Sequence, residues 1–100
     1  MIATIWRFLV RAEAIEAFER VYGPRGDWAQ LFARAQGYAG TELMKIDGGG
    51  DTYLTIDRWD SSADFHAAKT MLGEEYAALD RQCEDYTYEE TWLGVFDVVS

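Results

Sequence analysis

The stretch Tyr53-Leu54-Thr55-Ile56-Asp57-Arg58-Trp59-Asp60-Ser61-Ser62-Ala63-Asp64-Phe65 decides how the chain folds. Its first half alternates β-forming residues and ends on a large aromatic, Trp59, which is the pattern of a strand. Its second half begins a helix: Ser61 is an N-cap, and Asp64 stands three residues on, where the acid of a capping box belongs. Strand therefore runs into helix with almost no linker. Trp59 must lie at the seam between sheet and helix, where an α+β fold either seals its core or leaves a pocket.

Working back from the seam, Thr52 to Trp59 places Tyr53, Thr55, Asp57 and Trp59 on one face and Leu54, Ile56 and Arg58 on the other. Gly48-Gly49-Gly50-Asp51 forms the hairpin before it, because glycine supplies the positive φ of a tight reversal. The partner strand is Tyr38 to Asp47. Upstream, Glu13 to Tyr22 carries Ile15, Phe18, Val21 and Tyr22 at helical spacing. Gly23-Pro24-Arg25-Gly26 stops that helix. Asp27 then caps a second one with Trp28, Leu31, Phe32 and Ala35 on its inner stripe. Ile2 to Val10 is the first strand, and both its faces are largely apolar. A sheet covered by helices on one side should show a polar second face, so something covers the second face here as well.

Forward of the seam, Phe65, Ala68 and Leu72 line one side of a helix that Gly73 breaks or bends, and Tyr76, Leu79 and Cys83 continue the apolar edge. Asp85 to Val99 is a long closing strand in which Gly94 predicts a bulge. The order β-α-β-β-α-β, with a short central hairpin and helical crossovers, is the ferredoxin-like α+β arrangement with a four-stranded antiparallel sheet. A second copy of the same sheet would cover the apolar second face, so the chain reads as half of a homodimer.

One hundred residues, 49% of them apolar and fifteen aromatic, suit a single domain over residues 1–100 with a well-filled core. No apolar run approaches the roughly 20 residues of a membrane span, and the start lacks a signal-peptide pattern. A cytoplasmic location without membrane association is the expectation. A net charge of −9 repels phosphate backbones and argues against nucleic-acid binding. The acids concentrate late, at Glu74, Glu75, Asp80, Glu84, Asp85, Glu89 and Glu90, opposed only by Arg81. They match no Ca²⁺ loop and read as a solvated face. One Cys, one His and no glycine-rich phosphate loop after the first strand predict a protein without metal, flavin or haem.

Two groups of residues carry the chemical readings. His66 is the only histidine and the only side chain titrating near neutrality without a perturbed pKa. It stands one residue past Phe65, about 100° further round the helix. That makes it a boundary residue or a base at a cleft mouth, acting on a phenolic substrate. Trp6, Phe8, Trp28, Phe32, Trp59 and Tyr76 are the aromatic set. They serve as core, or as the lining of an apolar cleft for a flat aromatic ligand. Cys83, on an apolar edge beside acids, reads as a small buried hydrophobe.

Phe18-Glu19-Arg20-Val21-Tyr22-Gly23, Trp28-Ala29-Gln30-Leu31-Phe32, Gly37-Tyr38-Ala39-Gly40-Thr41-Glu42-Leu43 and Tyr53 to Ser61 together resemble the antibiotic biosynthesis monooxygenase family of dimeric α/β barrels. The resemblance implies a homodimer with sheets face to face and a cleft in each subunit between helices and sheet. It also implies an activity: oxygenation of an aromatic or quinone-like molecule without a cofactor, or haem degradation. The alternative is a non-catalytic dimeric module that binds a small apolar ligand. Haem-degrading members are similar to one another in an Asn on the first strand, a Trp ending the third and a His late on the second helix. Trp59 matches the Trp. Trp6 or Arg7 stands near the Asn position and Asp80 near the His position, so two of the three are missing.

Overall fold

A computed structural model of the chain describes residues 1–99. The elements are β1 (Ile2–Val10), a 3-10 turn (Ala12–Ala14), α1 (Ile15–Tyr22), α2 (Asp27–Phe32), β2 (Tyr38–Lys45), β3 (Thr52–Trp59), α3 (Ser62–Met71), α4 (Gly73–Cys83) and β4 (Thr87–Asp97). All neighbouring strands are antiparallel and the order is β2-β3-β1-β4. This is the ferredoxin-like α+β sheet that the alternation and the helix signals predict.

The seam forms as its residues dictate. The Ser61 side chain accepts a hydrogen bond from the Asp64 backbone N–H at 3.1 Å and starts α3. The Asp60 N–H reaches back to the Gly37 carbonyl at 2.8 Å, tying the entry to β2 to the exit from β3. Gly37 has φ of 87°, and a Cβ there would meet the Asp64 carboxylate at 2.4 Å. Only glycine satisfies both the left-handed backbone and the close approach.

Gly73 separates α3 from α4 as expected. Gly94, at φ 126°, sits where the β1–β4 register slips between Ile5 and Trp6, a bulge. Three details differ from the sequence reading. The first helix begins as a 3-10 turn rather than as α-helix at Glu13. Gly26 rather than Asp27 is the N-cap of α2, with no side-chain cap bond, so Asp27 acts only as an acid in the first turn. The closing strand starts at Thr87 and ends at Asp97.

The helices cover one face of the sheet. Against them lie the side chains of Ile2, Phe8 and Val10 from β1 and of Tyr53 and Trp59 from β3, with Phe18, Tyr22, Trp28, Leu31, Ala68, Leu72 and Cys83 from the helical layer. Rings dominate: Phe18 stacks on Tyr22 at 4.2 Å between centroids and meets Tyr53 at 5.0 Å. Such contacts add about 0.5–1.5 kcal/mol per pair beyond burial. The opposite face is open. It carries Ile5 paired with Ile56, Arg7 with Leu54, and Met44 with Leu54 on the other side. Its two arginines are neutralised within the sheet, Arg7 by Glu89 and Arg58 by Glu42.

Candidate functional site

Between the helical layer and the sheet lies a cleft of about 310 Å³, a volume at the lower end of small-molecule sites. Its origin is a row of short side chains. On the covered face of β3, two rings flank two small polar residues: Tyr53, Thr55, Asp57, Trp59. The register sets Thr4 of β1 and Thr41 of β2 on either side of Asp57. Where the row on one side presents Ile2 and Trp59 and the row on the other presents Trp6 and Thr55, this row presents two threonines and a carboxylate. The layer above cannot close onto it.

Rings make the walls. Trp6 and Phe8 rise from β1, Tyr22 from α1, Trp28 and Phe32 from α2, and Tyr76 from α4. Trp28 meets Tyr76 edge-on at 4.8 Å, and Trp6 leans on Trp92 of β4 at 5.2 Å. Lys69, Asp80 and Glu90 complete the lining. Lys69 Nζ lies 4.3 Å from the centre of the Tyr76 ring, a cation–π contact.

Asp57 is the chemical centre of this arrangement. Its residue is only 8% exposed, and burial raises its carboxyl from 3.8 to about 6, with the Thr41 hydrogen bond pulling the other way. Thr41 Oγ1 donates to Asp57 Oδ1, and the Tyr38 hydroxyl lies 2.5 Å from the same Thr41 oxygen. Because Thr41 has one proton to give, the Tyr38 hydroxyl is the donor in that second bond whenever the carboxylate is ionised. Burial also raises the Tyr38 hydroxyl. Behind Asp57 the Thr4 hydroxyl donates to its backbone carbonyl at 3.5 Å. One oxygen is thus held by the protein while the side chain lines the cleft. A carboxylate that titrates near neutrality and faces an aromatic slot is equipped to take a proton from a phenol or an activated C–H.

The structure brings five of the six expected aromatic residues together around the cleft: Trp6, Phe8, Trp28, Phe32 and Tyr76. Trp59 stands apart from that lining. It is 1% exposed and enclosed by Phe32, Tyr38 and Phe65 at 5.6, 5.4 and 5.9 Å. His66 is exposed, its ring against Phe65 at 5.3 Å, and it does not reach the cleft. Asp80 and Glu90, read from the sequence as part of a solvated face, are exposed and also stand at the cleft. Cys83 is buried beside Tyr22 and Trp28, and burial raises its thiol, which leaves it unreactive.

The sequence profile of the antibiotic biosynthesis monooxygenase family matches residues 1–71 of the chain. The chain belongs to this family. Among solved structures, the monooxygenase relative from Nitrosomonas europaea, described as a candidate antibiotic biosynthesis monooxygenase, superposes with a TM-score of 0.73 at 15% identity, covering 100% of both chains. SnoaB, a cofactor-independent oxygenase from Streptomyces nogalater, gives a TM-score of 0.70 at 21% identity over 99% of this chain and 93% of its own. MhuD, solved with two manganese protoporphyrin IX molecules per active site, gives 0.72 at 21% identity over 100% of this chain and 96% of its own. At such identities the likeness is one of fold. No curated protein matches the sequence. Among the described residues no helix is long and apolar enough to cross a membrane.

Proposed function

We propose that this monooxygenase-family protein oxygenates a flat, electron-rich phenol or quinol without a cofactor, using Asp57 as its base. The observation that carries the reading is a buried carboxylate, raised to about 6, lining a slot walled by five aromatic rings from the expected set. Asp57 takes a proton from the activated carbon or hydroxyl of the substrate. The resulting anion gives one electron to dioxygen, and the substrate radical and superoxide combine to form a C–O bond. Loss of water from the peroxide leaves a carbonyl. In sum, a methylene and O₂ become a carbonyl and water, and the substrate supplies all four electrons. The rings position the anion and exclude water.

Haem suits the cleft poorly. The one histidine lies outside it, and the carboxylates that line it would oppose a group that itself carries two carboxylates. The test of the oxygenase reading is oxygen uptake with an anthrone, whose ring methylene is the reacting carbon, no cofactor being added. One O₂ consumed per carbonyl formed, at a rate well above buffer, is the expected result. A compound that binds the cleft yet oxidises no faster than in buffer makes the protein a binding module.

The same reading includes a homodimer through the open sheet face. That face presents Ile5, Leu54 and Met44 around a buried Ile56, has its arginine charges already paired within the sheet, and holds a buried Arg7 Nε with no hydrogen-bond partner among the described residues. Large apolar surfaces with internal charge balance suit permanent interfaces, which bury about 2,000 Å² or more. Sedimentation equilibrium at micromolar concentration should return twice the chain mass. A monomer would refute the dimer.

A further inference from the structure

We propose that the cleft is a charge filter: its preferred ligands are aromatic molecules bearing an ammonium group, and it rejects those bearing a carboxylate. The inference rests on the proposed ligand cleft and goes further in naming which side-chain charge the ligand carries. Three lining carboxylates arrive from three elements, Asp57 from β3, Asp80 from α4 and Glu90 from β4, against one ammonium, Lys69 from α3. All three act electrostatically on one lining group. The Tyr76 hydroxyl is raised to about 12 first by burial and then by the fields of Asp80, Asp57 and Glu90.

Among the described residues no ion pair cancels that field. The three present are Arg7–Glu89, Arg34–Glu75 and Arg58–Glu42, and none includes a carboxylate of the cleft. Lys69 directs its charge at the Tyr76 ring, 4.3 Å from its centre. That contact also shows that a cation is accommodated on this aromatic face, beside the acids. Glu90, although exposed as a residue, has its carboxyl raised by local desolvation and by the charge of Asp80. An acidic groove lined by Glu84 and Glu89, sharing Asp80 and Glu90, continues outward from the mouth. No group of three acids there is arranged to hold a metal ion, among the described residues. What remains, with Lys69 and the Arg7-paired Glu89 allowed for, is a net negative field beside aromatic faces, which favours an organic cation and opposes an anion.

The test is calorimetric titration with three probes sharing one ring system: naphthyl-ethylamine, naphthyl-ethanol and naphthyl-propionate. The expected order is amine, alcohol, acid, with the amine about tenfold tighter than the alcohol and the acid about tenfold weaker. Raising the salt from low to high ionic strength should narrow the spread. In Asp80→Asn/Glu90→Gln, both sites being exposed, the three affinities should fall within about threefold of one another. An acid bound as tightly as the amine overturns the filter, as does a preference that survives the double variant. If the alcohol binds without any charge order, the filter alone fails. If no probe binds, the cleft reading fails with it.

Discussion

Replacing Trp59 with alanine should remove a third or more of the protein's stability, roughly 3–5 kcal/mol. The ring is 1% exposed and held on three sides by Phe32, Tyr38 and Phe65. Deleting so large a buried ring costs roughly 3–5 kcal/mol, against a total stability of roughly 5–10 kcal/mol for a domain of this size. Position in the sequence alone predicts a ring packed on one face with an edge on the cleft, and a smaller loss. Full enclosure moves the expected cost to the upper range. Trp59→Phe discriminates further. The indole Nε1 is buried with no hydrogen-bond partner among the described residues, so phenylalanine removes an unsatisfied donor along with some volume. Its loss should stay near ~1–2 kcal/mol. Urea denaturation followed by near-ultraviolet circular dichroism measures both. An alanine variant losing under about 1 kcal/mol would contradict the packing. A tenfold drop in naphthyl-ethanol affinity in the phenylalanine variant would put the ring on the binding surface after all.

The fold is legible because its punctuation is local. The Ser61 cap, the break at Gly73, the bulge at Gly94 and the glycine hairpin each depend on residues within a few positions of one another, and each forms where its residues predict. The walls of the cleft are legible for a related reason: helical spacing turns Trp28, Phe32 and Tyr76 inward, and strand alternation turns Trp6 and Phe8 toward them. The base is not. Alternation puts Asp57 on the covered face of β3, but a single acid among inward residues is significant only when its neighbours are known. Those neighbours, Thr4 and Thr41, lie 53 and 16 positions away and meet Asp57 only through the strand register. An inward Thr on each of three strands is the available signal, and it requires a register that one strand's pattern does not contain. His66 draws attention as the one histidine, yet its place one position after Phe65 turns it to solvent. Asp80 and Glu90 are concealed among charged neighbours until α4 and β4 bring them to one mouth.

Asp57→Asn should abolish turnover and, above pH 6, make the protein more stable. Both effects come from the same buried charge. The folded carboxyl titrates at about 6 against 3.8 for the ordinary group. Between those values the folded chain holds a proton that the unfolded chain has released, so stability falls as pH rises through this window. Below about pH 4 both states are protonated and no penalty applies. Above pH 6 the full penalty is present, on the order of 3 kcal/mol, because each pH unit between the two values is worth ~1.4 kcal/mol. Asparagine carries no charge at any pH and retains an oxygen to accept from Thr41, so the variant should gain roughly 1–3 kcal/mol at pH 8 and nothing near pH 4. Turnover runs the opposite way. Only the ionised form accepts a proton, so the parent's rate should climb with pH to a plateau above about 6, and losing the base should lower it by roughly 10²–10⁴-fold. Denaturation curves of parent and variant at pH 4 and pH 8, set beside oxygen uptake across the same range, read both effects. A variant that keeps its rate removes Asp57 from the chemistry, and one that is no more stable at pH 8 than the parent means the carboxylate is better solvated than its burial indicates. The expected combination, greater stability with lost activity, is the mark of a charge the fold tolerates because the reaction requires it.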